Sequence, residues 1–151
     1  MQNIVLNEIG AKTGSISNNQ NTKVSALADY PIEVISGPEV LTGSTRLKAG
    51  TAQKLVLNMI STISLVKVGK VYENLMVDVM ATNEKLVDRA KRIIVEATGV
   101  EYEEAERVFE EAGSVKLAIV MILSGASKED ASKALEETNG FVRDSIQNLI
   151  S

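Results

Sequence analysis

Gly37-Pro-Glu-Val-Leu-Thr-Gly-Ser-Thr-Arg-Leu-Lys-Ala-Gly-Thr-Ala-Gln-Lys54 runs directly into Leu55-Val-Leu-Asn-Met-Ile-Ser-Thr-Ile-Ser-Leu-Val-Lys-Val68. The first stretch holds three glycines, a proline, three cations and a single carboxylate, Glu39, among hydroxyl and amide side chains. The second is the longest apolar helical pattern in the chain. A polar, glycine-rich loop feeding a helix can present N–H groups and short side chains to an anion. The same residue types serve any tight loop before a helix, so composition leaves both readings open. In the helix, Leu55, Met59, Ile63 and Val66 form one stripe, and Val56, Leu57, Ile60 and Leu65 carry apolar surface round most of the rest. A helix apolar nearly all round is expected to be buried. Asn58, Ser61, Thr62 and Ser64 then read as core polar groups bonded to backbone.

Upstream, the pattern is that of a fragmentary α/β sheet. Ile4, Val5, Glu8 and Ile9 have helical spacing and Gly10 is a natural stop, so residues 1–13 read as the end of a helix. Lys12 to Ser17 suits a short strand, weakened by Gly14. Ser17 to Thr22 is a polar loop, Val24 to Ala28 a short helix, and Tyr30 to Ile35 a second strand that starts on Pro31. Two or three short strands do not make a parallel sheet covered on both faces. The chain therefore reads as starting within a domain, and an apolar face and an unpaired strand edge are expected.

Downstream, Val71 to Val79 reads as extended or irregular around Leu75-Met76-Val77, and the rest is helical. Thr82 or Asn83 caps a helix with Leu86, Ala90, Ile93, Ile94 and Ala97 on one face. Its other face, Lys85, Arg89, Lys91 and Arg92, reads as solvated. Gly99 ends it. Tyr102 to Ala112 puts Ala105, Val108, Phe109 and Ala112 inward, and Ser114 caps a nearly all-apolar helix over Val115 to Leu123. Ser127 with Asp130 resembles a capping box before helix 128–138, and Asn139-Gly140 turns the chain into Phe141 to Leu149. Three short helices after Ser114 form a small bundle, expected to lean on the helices before it.

Composition narrows the chemistry. The 151 residues include no cysteine and no histidine, which excludes disulfides, thiolate catalysis, Cys/His zinc sites and any imidazole base. A carboxylate or lysine is left for acid–base work. Aromatics are 3% of residues, so the core is built from Ile, Val, Leu, Met and Ala. Residues 1–99 carry 11 cations and 9 anions, and residues 100–151 carry 5 and 11. That break suggests a domain change near Gly99 and argues against a basic nucleic-acid footprint. No apolar run reaches the roughly 18 residues of a membrane span, and the N-terminus lacks a signal-peptide pattern. A cytoplasmic location fits the absence of cysteine.

The 37–54 stretch resembles the signature of bacterial N-acetylmuramic acid 6-phosphate etherases. Leu57 to Thr62, Gly69-Lys70-Val71-Tyr72, Asn74 to Val79 and Ala81 to Leu86 continue the resemblance in the family's order. The resemblance implies the C-terminal part of a sugar isomerase (SIS) α/β/α sandwich over residues 1–68, including the polar loop and a buried helix. A linker and helix then occupy 69–99, and a small acidic helical domain, ending in a bundle similar to the ubiquitin-associated (UBA) type, occupies 100–151. It implies a cytoplasmic homodimeric lyase of amino-sugar catabolism and peptidoglycan recycling. That enzyme splits the D-lactyl ether of N-acetylmuramic acid 6-phosphate into N-acetylglucosamine 6-phosphate and D-lactate, by elimination and water addition, with no metal or organic cofactor. The implied partner is a phosphorylated amino sugar, with no nucleic acid or membrane.

Only the C-terminal half of the family is matched, and the family's acid/base glutamates and main phosphate loops lie in the other half. No catalytic residue is therefore assigned in this chain. Glu39, Ser44, Thr45 and Lys48 are the expected substrate contacts, with loop bonding and helix capping as their structural alternatives. Arg46 and Lys54 read as surface charges. Three functions follow: part of the etherase, inactive alone; a non-catalytic phosphosugar-binding regulatory or assembly module, as in the distantly similar glucokinase regulatory protein; or a structural half that completes a site with another chain.

Overall fold

The computed structural model describes residues 10–151, so most of the helix expected over residues 1–13 lies outside the described residues. The chain divides after Thr62 into two compact units.

The first unit is built on a parallel pair of strands, β1 (Gly14–Ser17) and β2 (Tyr30–Glu33), in register Gly14 with Tyr30 through Ser17 with Glu33. A single 3-10 turn, Ser25–Leu27, lies between them. Pro31 is accommodated because each strand pairs only with the other among the described residues, leaving one edge free of ladder bonds. Two carboxylates close the connection. The Thr13 N–H and hydroxyl both donate to Asp29 Oδ2 at 2.9 Å, and Lys12 Nζ donates to Oδ1 at 2.8 Å. The Lys12 and Thr13 hydrogen bonds hold the Asp29 carboxyl at about 2, below its ordinary 3.8. At the other end, Glu33 accepts the N–H groups of Asn21 (3.1 Å) and Thr22 (3.3 Å).

Helix α1 (Lys48–Lys67) begins inside the stretch expected to be loop. Ala49, Ala52, Gln53 and Lys54 favour helix once a cap is supplied. Gly50 fits there for a different reason, since a Cβ would stand 3.3 Å from the Thr45 carbonyl oxygen.

The larger departure is exposure. Only Ala49 and Val56 of α1 are buried, while Leu57, Met59 and Ile60 are 51%, 55% and 46% exposed. Asn58, Ser61, Thr62 and Ser64 are exposed too, with the Ser61 hydroxyl donating to the Asn58 carbonyl at 3.0 Å. A core-type helix is present, but nothing described in this chain encloses it.

The second unit takes in the end of α1 from Ile63 and then a tight hairpin, β3 (Val71–Tyr72) against β4 (Leu75–Met76), turned by Glu73 at φ 52°. Five helices follow: α2 (Glu84–Thr98), α3 (Tyr102–Ala112), α4 (Val115–Ser124), α5 (Lys128–Glu137) and α6 (Val142–Ile150). Their ends obey the residue-level signals. Asn83 Oδ1 accepts the Leu86 N–H, Ser114 Oγ accepts the Leu117 N–H, and Gly99, Gly113 and Gly125 close α2, α3 and α4 in the left-handed region. At α5, Ser127 Oγ accepts the Asp130 N–H (3.1 Å) and donates to the Asp130 carboxylate (2.8 Å). Asp is one methylene too short for a full capping box, and it bonds the capping hydroxyl instead.

One core unites these helices. Ala90, Ile93 and Ile94 of α2 and Ala105 and Val108 of α3 pack with Val115, Leu117, Ala118, Ile119 and Val120 of α4, Ala131 of α5 and Val142 of α6, with Val77 beside the hairpin. Helix α4 is central, as its nearly unbroken apolar sequence requires.

One feature corrects the polar-face reading, and a second is a buried polar group that the residue pattern did not single out. Lys91, expected in solvent, has a side chain only 11% exposed and pairs with Glu106 of α3. Ser145 is wholly buried, and its hydroxyl joins Thr138 Oγ1 (2.7 Å) and the Phe141 carbonyl (2.8 Å) to tie the start of α6 to the end of α5.

Candidate functional site

The 37–47 loop folds back on the start of α1 through its one carboxylate. Ala49 N–H donates to Glu39 Oε1 at 3.0 Å, and Lys48 N–H donates to Oε2 at 3.1 Å. These bonds, Ala49 first and Lys48 second, hold the Glu39 carboxyl below its ordinary range, and the Lys48 charge adds to them. The capping role considered for Ser44 or Thr45 therefore belongs to Glu39, nine and ten residues upstream. Negative charge at a helix N-terminus is stabilised by the orphan N–H groups and the helix dipole. A phosphate approaching the same two donors would have to displace Glu39.

The other expected contacts gather at the same place. Ser44 closes a turn, its N–H donating to the Leu41 carbonyl at 3.0 Å, and Thr45 offers its carbonyl to the Gly50 N–H at 3.1 Å. Both hydroxyls lack a hydrogen bond among the described residues, as does the exposed Lys48 ammonium. The structure thus brings Glu39, Ser44, Thr45 and Lys48 to the first turn of one helix. What they form is an open rim with two hydroxyls and an ammonium turned to solvent. Arg46 and Lys54 are exposed, as surface charges are.

The same unit holds an open cleft that residue types did not single out. Its volume is about 530 Å³, and it is lined by Asn21, Thr22, Ser25, Ala26, Pro31 and Glu33. The Ser25 hydroxyl and the Asn21 N–H keep Glu33 ionised below its ordinary range. The signal for it was the Asn/Thr/Ser run itself, which is indistinguishable from a solvated loop until β1 and β2 pair.

No family model matches the chain. Curated proteins do. The chain is 66% identical over 140 residues to the N-acetylmuramic acid 6-phosphate etherase of an Exiguobacterium strain. It is 60% identical over 141 residues to that of Geobacillus thermodenitrificans, and 64% identical over 140 residues to that of Listeria welshimeri. The chain is homologous to about half of an N-acetylmuramic acid 6-phosphate etherase. These matches take in 92–93% of this chain but 47–48% of each relative. The chain thus spans about half the length of the curated relatives it matches.

Proposed function

We propose that this chain is part of an N-acetylmuramic acid 6-phosphate etherase. The reaction is elimination of D-lactate from the phosphosugar and addition of water, giving N-acetylglucosamine 6-phosphate. The observation that carries the reading is 66% identity across 140 residues to a protein of that name. In this reading the first unit belongs to an SIS-type α/β/α sandwich, the last three helices are a UBA-like bundle, and the working enzyme is a cytoplasmic homodimer.

The rim at the start of α1 is one wall of the phosphosugar pocket. Ser44 and Thr45 donate hydroxyl hydrogen bonds to phosphate or sugar oxygens, and Lys48 supplies the counter-charge. Glu39 holds the wall in place. With its carboxylate on two N–H groups and below its ordinary range, it is a poor proton acceptor for a carbon acid. The acid and base come from carboxylates outside the matched half. That same feature favours the second reading, a phosphosugar-binding module without turnover.

Incubation with N-acetylmuramic acid 6-phosphate separates them. This chain alone is expected to release no lactate, and turnover would place the acid/base pair within it. Titration with N-acetylglucosamine 6-phosphate is expected to shift the amide signals of Ser44 to Gly50. Unchanged signals at millimolar ligand would remove the binding role from this loop.

A further inference from the structure

We infer that Asn139-Gly140 is a site of spontaneous modification, converted to an aspartyl or isoaspartyl link when the α5–α6 turn leaves Gly69 and held unreacted while it stays docked. The inference is independent of the reaction proposed above. Asn139 is the only asparagine of the sequence that is followed by glycine. The backbone nitrogen of the following residue is the nucleophile in this chemistry, and glycine leaves it without a side chain in the way. Water is the one co-reactant. Gly140 N gives up its proton and bonds to the carbonyl carbon of the Asn139 side chain, and the bond from that carbon to the amide nitrogen breaks, releasing ammonia. Water then opens the five-membered imide at either carbonyl. One opening leaves aspartate in an ordinary main chain. The other leaves isoaspartate, with the main chain one atom longer.

The docked turn grants access and withholds the rest. Asn139 is exposed, so water reaches it and ammonia can leave. Attack requires rotation about the Asn139 Cα–C bond until Gly140 N faces the side-chain carbon. Asn139 is instead held at φ 54° and Gly140 at φ 80°. The Gly140 N–H donates to the Leu135 carbonyl at 2.7 Å. That bond retains the proton that has to be lost and fixes the peptide plane that has to turn. The next residues are held as well. A Cβ on Gly69 would lie 3.0 Å from the Gly140 carbonyl oxygen, and one on Gly140 would lie 3.2 Å from the Lys116 ammonium. The Phe141 N–H donates to the Thr138 carbonyl, and the Phe141 carbonyl accepts the Ser145 hydroxyl. Attack therefore waits for a local opening of the turn.

Conversion is felt at the same contact. An isoaspartyl link inserts a main-chain atom directly before Gly140, so Gly140 cannot keep both its bond to Leu135 and its seat on Gly69. Gly69 leads into the β3–β4 hairpin, which closes on the next residue through the Val77 N–H donated to the Lys70 carbonyl at 3.1 Å. The modification thus loosens the seat of the hairpin on the helices, and hydrolysis makes it a one-way record of past opening.

Incubation of the full chain in mildly alkaline buffer, followed by mass spectrometry of the peptide containing Asn139, tests this. The folded chain is expected to react at least about tenfold more slowly than the urea-unfolded chain. Low urea is expected to leave the folded rate and the exchange of the Gly140 amide unchanged, because a local opening exposes little surface. Gly69→Ala, which crowds the Gly140 carbonyl, is expected to speed the folded reaction about tenfold, still without a response to low urea. Equal rates in the folded and unfolded chains overturn the proposal, as does an unfolded chain that keeps Asn139 intact. It is also overturned if Gly69→Ala folds and leaves the rate unmoved, or if rate and exchange climb with urea as global unfolding does. Should Gly69→Ala fail to fold, the urea response of the unaltered chain decides alone.

Discussion

Gly69 stands at φ +70°, and a Cβ there would lie 3.0 Å from the Gly140 carbonyl oxygen. Gly99 is also left-handed at φ +77° but would meet no atom within 4 Å. Gly99→Ala is therefore expected to cost about 1 kcal/mol, the left-handed backbone alone. Gly69→Ala adds a collision with a carbonyl that cannot move aside, and urea unfolding should show a loss above about 2 kcal/mol. Equal losses would remove the close approach as the reason for Gly69. Asp29 titrates in a definite window. Its folded value, about 2, lies below its ordinary 3.8, so its contribution to stability is complete above pH 4 and is lost as pH falls towards 2. A carbon-detected titration of the Asp29 carboxyl with a midpoint near 3.8 would contradict the Lys12 and Thr13 bonds. Ser145→Ala should destabilise the second unit by about 1 kcal/mol, because its hydroxyl is one of the few buried polar groups and is fully bonded.

Side-chain caps among the described helices are of two kinds. Helices α2 and α4 are capped by the residue next to them, Asn83 and Ser114. Asn83→Ala and Ser114→Ala should each cost about 1 kcal/mol in chemical denaturation. Helix α1 is capped from a distance by Glu39. Glu39→Ala is expected to fray its first turn, seen as faster amide exchange at Lys48 and Ala49. Unaltered exchange would mean that the loop closes without the carboxylate. Helices α2 and α3 are locked by polar groups as well as by apolar ones. The Tyr102 hydroxyl donates to Asp88 at 2.8 Å, and Lys91 pairs with Glu106. Part of what reads as a charged outer face is thus a seam between helices.

The two units differ in how they are stabilised. Residues 63–151 contain nearly all the buried hydrophobic side chains, drawn from every helix after α1. A shared core of that kind predicts one cooperative thermal transition for α2 to α6. Two transitions resolved between α2 and α4 would break that picture, since Ile94 and Ile119 belong to the same cluster. Residues 10–62 hold together through hydrogen bonds at Thr13, Asp29, Glu33 and Glu39 and through a short parallel ladder. Few buried apolar contacts and open backbone edges mark the low-stability end of a structure.

Strand and helix positions after Gly10 were largely legible in the residues, because turns, caps and periodicity act over three or four neighbours; the start of α1, seven residues earlier than its apolar pattern, was not. Asn83, Ser114, Ser127, Gly99, Gly125 and Asn139-Gly140 each fall where their own chemistry puts them. The candidate site was legible only as a set of residue types. Its arrangement depends on Glu39 meeting an N–H nine residues away, and no local rule specifies that meeting. Burial was the least legible property. The apolar sequence of α1 states that the helix is made to be enclosed, but exposure is a relation to other segments. The same holds for Lys91 and Ser145, whose side chains meet groups beyond their own helix, Glu106 on α3 and Thr138 at the end of α5. Short-range sterics and hydrogen bonding are written in consecutive residues. Which faces meet, and which are left open, follows from long-range packing that no stretch of sequence contains.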